Sequence, residues 1–507
     1  MCGFVIASSQ EPDELADTNN LIDHLTHRGP DEQGTWAHGS LNVQFSQCRL
    51  SIIDPLKGHQ PMSRGKSRIV YNGELYNFKE LREKLTPKYN FKTDSDTEVF
   101  LQGYREWGTD VFDRARGMFS LAIWDGPEQK MVLARDPVGQ KPLVYYSKDN
   151  KFMAASELQG LMASDHVSSK ADPASLSWYL SLGYVPAPRT GFFNVKNLPP
   201  GHYMTVKDNQ IQKQVRYWDP VSLSRQSSIS SKNLSERIRD RLETAVERRL
   251  ISDVPLGAFL SGGIDSTIVV GLMSTLMDRP VTTVSVGFER QQYDERDYAR
   301  TAANAFNTDH HEYTVRTDLE DLLPKLVRHY GEPYADSSAV PTYYLSRQTR
   351  DHVKVALSGD GGDEAFGGYR RYRAMRYLGY LSGWIPRFVR KGLQVVSSGL
   401  ASSQRRSGWG EFLRIMNVIG EPPTTQYASM VGLGHDSQKA SLAKGPLKKP
   451  AERGGEQWLN RWFRRFDHVQ DPAQRAMFVD MMSYLPGDLL VKTDIATMMN
   501  SLECRSP

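Results

Sequence analysis

Three short stretches of this 507-residue chain carry side chains whose types and spacing could do chemistry. The first is Cys2. Removal of Met1 would leave a cysteine with its own α-amine, which titrates near about 7.7–8.0, below the roughly 8.5 of a free thiol. That amine can act as local base, so one residue would hold both nucleophile and base. The second stretch is Ser261-Gly262-Gly263-Ile264-Asp265-Ser266, between an apolar run at 254–260 and an apolar stretch of helical length at 268–277. A strand that enters such a loop and leaves as a helix presents free backbone N–H groups at the positive end of a helix dipole, a cradle for phosphate. It lacks the Gly-Lys-Ser/Thr whose lysine reaches β- and γ-phosphates. The third stretch is Ser358-Gly359-Asp360-Gly361-Gly362-Asp363-Glu364, just after the apolar residues 353–357. Its carboxylates repel one another unless a cation sits among them, and Mg²⁺ on nucleotide phosphates is the natural one. Alone, each stretch has an ordinary reading: an edge strand, a turn without ligand, a solvated acidic turn. Together they point to an enzyme with a nucleotide.

The elements that must hold these residues follow from the apolar pattern. In the second half, Val281, Val284 and Val286 mark a buried strand, Asp294 to Ala299 a helix start, and Ile238, Leu242, Ala245 and Val246 one stripe of a helix over 234–250. Strand, helix, strand, helix at this spacing predicts a doubly wound parallel sheet whose ligands lie beyond the carboxyl ends of its strands. In the first half, polar clusters punctuate strand-like runs: His27-Arg28-Gly29-Pro30-Asp31, Arg49 to Asp54, Tyr71 to Asn77, Ser95 to Glu98, and Arg135 to Leu143. Prolines and glycines over 182–218 read as turns between short strands. A serine-rich run at 222–231 is the best linker, giving domains at 1–220 and 236–507 with a linker at 221–235. Cys48 reads as a small buried apolar residue, and Trp107, Phe112, Met118, Phe119 and Trp124 as core. The Arg-rich stretch 369–376 reads as a solvated helix face, and 397–455 as carrying loops.

Composition narrows the class. Two or three domains are expected at roughly 100–200 residues each. A formal charge of +4 with interspersed signs argues for neither nucleic acid nor membrane. Three cysteines suggest no disulfide framework, and the N-terminus lacks the basic region of a secretory signal. No stretch approaches the roughly 18 apolar residues of a spanning helix. A cytoplasmic protein acting on small molecules is expected; a homodimer is an allowed assembly, but the sequence sets no oligomeric state.

With these motifs in hand, the chain resembles the glutamine-hydrolysing asparagine synthetases. Residues 1–220 look like the glutaminase domain of the N-terminal-nucleophile amidotransferases, which implies an αββα sandwich. The resemblance implies that Cys2 attacks the glutamine amide and that Arg49 pairs with the substrate α-carboxylate, for which a planar guanidinium suits. Asp96 would hold the α-ammonium, Asn72 and Gly73 would form the oxyanion hole, and Ile53 and Glu74 would complete the pocket. The second half looks like an ATP pyrophosphatase, an α/β domain. There Leu260, Ser261, Gly262, Gly263, Asp265, Ser266, Val286, Ser358 and Gly359 would bind ATP, and Asp265 and Asp363 would hold Mg²⁺–pyrophosphate. The stretch Tyr484-Leu485-Pro486-Gly487-Asp488-Leu489-Leu490-Val491-Lys492-Thr493-Asp494-Ile495-Ala496-Thr497-Met498, ending in Ser501-Leu502-Glu503-Cys504-Arg505-Ser506-Pro507, resembles a further signature, in which Lys492 stabilises phosphoryl charge and Tyr369 supports the lysine. Asp360 stands where many members carry Glu, a residue tied to the β-aspartyl-AMP intermediate; a bacterial branch carries the Asp form. The family continues past Pro507 with an apolar segment and further helices, so a truncated C-terminus is expected. The implied reaction takes ATP, aspartate, glutamine and water to AMP, pyrophosphate, asparagine and glutamate. The nearest alternative is the same architecture acting on another carboxylate, for example a sugar acid in surface-polysaccharide assembly. A β-lactam synthetase relative would lack the N-terminal cysteine, and a regulatory protein without catalysis would not retain Cys2, Asp265, Asp363 and Lys492 together.

Overall fold

The computed structural model describes residues 2–226, 233–288, 294–316, 318–400, 416–433, 436–451 and 454–507. The first half is built on two six-stranded antiparallel sheets. One runs, in spatial order, Val195–Asn197, Val144–Lys148, Lys151–Ala155, Cys2–Ser9, Val43–Arg49 and Glu32–His38. The other runs Gln210–Arg216, His202–Lys207, Lys130–Arg135, Gly117–Asp125, Ser67–Leu75 and Met62–Arg64. Because side chains alternate across a strand, the Cys2–Ser9 strand sends Phe4 and Ile6 to one face and Val5 and Ala7 to the other. Phe4 and Ile6 meet Val70, Ala122 and Leu133 of the second sheet, forming the layer between the sheets. Val5 and Ala7 pack under the helices Thr18–Ile22 and Leu158–Met162 through Leu21, Ile22, Leu158 and Leu161. Tyr71, Leu121 and Phe119 on the outer face of the second sheet lie against Leu81, Phe100 and Leu101 of the helices Phe78–Leu85 and Asp96–Trp107. The result is the expected αββα sandwich.

The second half holds a five-stranded parallel sheet in the order Asp309–Val315, Thr282–Phe288, Leu256–Phe259, Val355–Leu357, Glu503–Arg505. From Leu256–Phe259 the chain builds first toward Asp309–Val315, then returns to the other side with Val355–Leu357. That reversal opens a crevice beyond the carboxyl ends of the two central strands. Helix Ile264–Leu276 follows the first of them. The apolar core is continuous between the halves, since Leu50, Ile52 and Tyr76 belong to one cluster with Val246, Leu256 and Val355. Among the described residues no helix is long and apolar enough to cross a membrane.

Three expectations change. The stretch 369–376 opens the helix Arg370–Trp384, but it is not a purely solvated face, because Tyr372 and Met375 are buried and Arg371 points inward. Arg371 donates to Asp480 Oδ2 through Nε at 3.0 Å and Nη2 at 2.8 Å, and Tyr372 donates to the same oxygen at 2.7 Å. Tyr427 donates to Oδ1. The proposed linker is helical at both ends, over Pro220–Gln226 and from Leu234 onward, and its centre, 227–232, lies outside the described residues. Within 397–455, residues 401–415, 434–435 and 452–453 also lie outside them, while Pro423–Val431, Asp436–Leu442 and Lys448–Ala451 are helices rather than loops.

Asp480 is 1% exposed and balances a guanidinium that would otherwise be buried alone. Asp480→Ala is expected to cost about 3–5 kcal/mol of stability in urea unfolding, as removal of one partner of a buried pair does. A loss below about 1 kcal/mol would contradict a structural role for this knot.

Candidate functional site: two centres at opposite ends of one sheet

Antiparallel pairing places Cys2 directly opposite Arg49, so a residue from the N-terminus and one from a strand 47 positions later share one sheet end. Cys2 is 5% exposed. Its nitrogen, the α-amine once Met1 is gone, donates to Asn72 Oδ1 at 3.1 Å, and Asn72 Nδ2 faces Ser120 Oγ at 3.4 Å. Thus the second sheet delivers the amide side chain to the nucleophile on the first. The adjoining Gly73 has no room for a side chain, because a Cβ there would lie 2.1 Å from the Met118 carbonyl oxygen. Cys48, by contrast, donates its thiol to the Leu25 carbonyl at 3.0 Å, and burial pushes it up to about 12, which makes it inert.

Arg49 is fixed by its own loop: Nη2 donates to the carbonyls of Ile53 at 3.1 Å and Asp54 at 2.9 Å, and Nη1 to Pro55 at 3.2 Å. Glu32 lies 3.3 Å from Nη1. Ile53 therefore meets Arg49 through its carbonyl, while its side chain joins the apolar core. Asp96 accepts from the Leu75 N–H at 2.9 Å; burial raises its carboxyl and outweighs the N–H groups that oppose it. Glu74 is 4% exposed, and burial with the nearby Glu503 pushes its carboxyl well up.

The second centre is a cavity of about 1560 Å³ in the crevice at the strand ends. Leu260, Ser261, Gly263, Asp265, Ser266, Val286, Ser358, Gly359, Asp360, Asp363, Tyr369 and Lys492 all line it. Gly262 does not; it turns the loop at φ +77°, where a Cβ would sit 2.4 Å from the Ala299 nitrogen. The two loops press together, since a Cβ on Gly362 would come within 2.6 Å of the Asp265 carboxyl carbon. Burial raises Asp265, and Asp363 and Asp360 raise it further; burial also raises Asp363. Partly buried carboxylates held above their ordinary range, with Asp265, Asp360 and Asp363 lining one cavity, are chemically suited to a divalent cation.

Lys492 is no surface lysine, being 8% exposed on the helix Leu490–Met498. Burial alone would depress its ammonium, but Asp360, Asp336 and Asp488 outweigh burial and hold it up. Its Nζ lies 3.8 Å from Asp360 Oδ1, while Asp360 Oδ2 accepts from Ser358 Oγ at 3.0 Å and Thr493 Oγ1 at 2.8 Å. The short Asp360 side chain is thereby anchored between loop and helix. Tyr369 lines the same cavity as Lys492 and stands beside Glu364, with the Arg371 guanidinium 3.7 Å over its ring.

Two clusters escaped the sequence reading. Arg28 donates through Nε to the Cys2 carbonyl at 3.1 Å and pairs through Nη1 with Glu157 at 2.5 Å and Asp494 at 2.8 Å. Lys141 reaches the other oxygen of Asp494 at 3.0 Å. Asp494 is two residues past Lys492, so an ion network runs from the Cys2 carbonyl to the helix that carries Lys492. Arg28, Lys141 and Asp494 each sit inside a recognisable motif, which was the available signal, but nothing local says that they meet. The other cluster joins Glu74 to Glu503 and Arg505.

Comparison with known proteins agrees with this geometry. Residues 237–507 match the family described as Asparagine synthase, and residues 1–218 match the family described as Glutamine amidotransferase domain. The chain is 34% identical over 520 residues to a Bacillus subtilis protein named Asparagine synthetase [glutamine-hydrolyzing] 1, covering all of this chain and 79% of that one. It is 34% identical to a Mycobacterium bovis protein named Putative asparagine synthetase [glutamine-hydrolyzing], again over all of this chain and 80% of the relative. A Penicillium rubens protein named Amidase chyE is 28% identical over 99% of this chain and 78% of its own length. With both halves matched and full-length relatives above 30% identity, the chain belongs to the asparagine synthase family, with a glutamine amidotransferase domain at its N-terminus.

Proposed function

We propose that this protein is a glutamine-dependent asparagine synthetase. The observation that carries the reading is the pairing of a position-2 cysteine, set against Asn72 and Arg49, with a cavity roomy enough for a nucleotide and an acceptor, lined by Lys492 and three aspartates. At the first centre the Cys2 amine takes the thiol proton, the thiolate attacks the glutamine side-chain carbonyl, and charge on the tetrahedral oxygen falls to Asn72 Nδ2 and the Gly73 N–H. Collapse releases ammonia and a thioester, which water opens to glutamate. Arg49 and Asp96 hold the two ends of the amino acid while this happens.

At the second centre the loop 261–266 takes the phosphates on its N–H groups. Asp265 and Asp363 would hold Mg²⁺, which supplies neutralisation of pyrophosphate charge when bound. Lys492 places positive charge where phosphoryl oxygens gain negative charge as aspartate is adenylated, and Asp360 with Thr493 keeps that ammonium oriented. Ammonia then attacks the adenylate and AMP leaves. Adenylation is required because a free carboxylate offers no adequate leaving group. A relative named Amidase chyE gives a second reading weight: the same two centres serving a different acceptor carboxylate.

Incubation with MgATP, glutamine and a panel of carboxylates, followed by mass-spectrometric identification of amides, tests the acceptor; aspartate is expected to give asparagine. Glutamate release with no asparagine, and an amide formed from another acid, would replace aspartate by that acid. Cys2→Ala is expected to lower glutamine-dependent product more than about 1,000-fold, while ammonia-dependent product stays within about twofold because the centres are well separated. Asp360→Ala is expected to slow ammonia-dependent pyrophosphate release by about 100-fold or more. An unchanged rate would remove Asp360 from the account of the lysine.

A further inference from the structure

His27, Glu157 and His329 meet beside the Arg28–Asp494 pair, although they belong to three elements and to both halves of the chain. His27 lies in the last turn of the 3₁₀ helix Asp23–Arg28, Glu157 follows the strand Lys151–Ala155, and His329 stands in the last turn of the helix Leu319–Tyr330. One donor atom from each lies within 4.8 Å of the other two. His27 Nε2 faces the two Glu157 oxygens at 3.3 and 3.1 Å, and the two imidazole rings meet edge to face with centroids 4.4 Å apart.

Arg28 takes Glu157 Oε1 at 2.5 Å, which leaves Oε2 to the histidines. Gln159 stands at the point where these groups converge: its Nε2 donates to Glu157 Oε2 at 2.7 Å and lies 3.1 Å from His329 Nδ1. An amide NH₂ between two acceptors sits where a cation would sit. Burial, with the His27 ring close by, pushes His329 down to about 4, so its imidazole is unprotonated at neutral pH. A small cavity of about 60 Å³ lies against Glu157 and His329, roomy enough for a water. Glu332 lines the same cavity, and burial pushes its carboxyl up to about 8. Arg28 and Lys141 already balance Glu157 and Asp494, so Glu332 is the group left to meet added positive charge. The His27 side chain is 16% exposed, which gives an ion a way in.

We propose that His27, Glu157 and His329 bind a divalent transition-metal ion of the zinc type, with a water in the fourth position and the Gln159 amide displaced. Two imidazoles and a carboxylate are a donor set for zinc, whereas Mg²⁺ takes oxygen ligands, so this site is chemically separate from the aspartates of the nucleotide cavity. Tetrahedral bonds of about 2.0–2.1 Å set donors about 3.3 Å apart, close to the His27–Glu157 spacing. Arg28 is the outer partner that orients the carboxylate, as the partners of metal ligands do. The ion clamps the two halves at their junction and takes no part in either reaction.

The test adds Zn²⁺ to the metal-depleted full chain in excess Mg²⁺, counts bound zinc after dialysis, and measures its affinity against a chromophoric chelator. About one zinc per chain is expected, with a thermal midpoint that rises with zinc concentration. His27→Ala and His329→Ala are each expected to weaken binding more than about 100-fold, since loss of an outer partner alone costs roughly 10–100-fold. Co²⁺ in place of zinc is expected to show the visible bands of a four-coordinate nitrogen–oxygen site. A thiolate charge-transfer band that vanishes in Cys2→Ala would place the ion at the nucleophile instead and overturn the proposal. So would the absence of bound zinc from the wild type, or zinc that stays in both histidine variants. Where those variants lose their cooperative thermal transition, Gln159→Ala decides. It keeps all three ligands and removes the competing amide, so it is expected to bind zinc at least as tightly as the wild type; weaker binding there contradicts the site.

Discussion

Arg28, Glu157, Lys141 and Asp494 are all at most 3% exposed, and the junction between the two halves forms only if they meet one another. Each charge would lose several kcal/mol on leaving water and recovers that only against a well-placed opposite charge. Arg28 outweighs its own burial through Asp494 and Glu157 and stays firmly protonated; His27 and Arg28 in turn keep Glu157 ionised. A network of this kind tolerates little sliding. It fixes where the helix bearing Lys492 stands relative to the strand bearing Cys2, because Arg28 also holds the Cys2 carbonyl.

The fold uses that fixed junction to place two chemistries that share no residues. The antiparallel sandwich brings a chain terminus, a guanidinium and an amide together by register alone, with Cys2 paired to Arg49 on one sheet and Asn72 arriving from the other. The parallel sheet does the opposite, gathering loops rather than strands, because reversal of strand order leaves a crevice that two glycine-rich turns can line. The glycines there act by absence: side chains on Gly359 or Gly362 would collide with the Ser266 and Asp265 region and separate the phosphate loop from the acidic loop.

What the sequence disclosed was what is local in it. Cys2, the 261–266 loop and the 358–364 loop carry their chemistry in adjacent residues, and the alternation of apolar residues was enough to expect both sheet types. Lys492 and Arg371 were less legible. A lone cation looks like surface charge until Asp360 and Asp480, far away in the chain, are seen to bury it. Glu503 and Arg505 lay within a recognised signature, yet their side chains turn toward the other half of the molecule, which no spacing rule reports. Tyr369 illustrates the converse: its place in the cavity was expected, but its immediate neighbours were set by the Arg371–Asp480 knot.

The central claim is that ammonia freed at Cys2 is consumed at the Lys492 centre of the same molecule. The most direct measurement supplies glutamine labelled with ¹⁵N in its amide together with excess unlabelled ammonium, and reads the isotope in the amide product. Because free ammonia released into water would be protonated and diluted, retention of ¹⁵N in most of the product is the predicted result. Product carrying the isotope ratio of the bulk ammonium would contradict it, and would make the buried junction a structural seam between two independent enzymes.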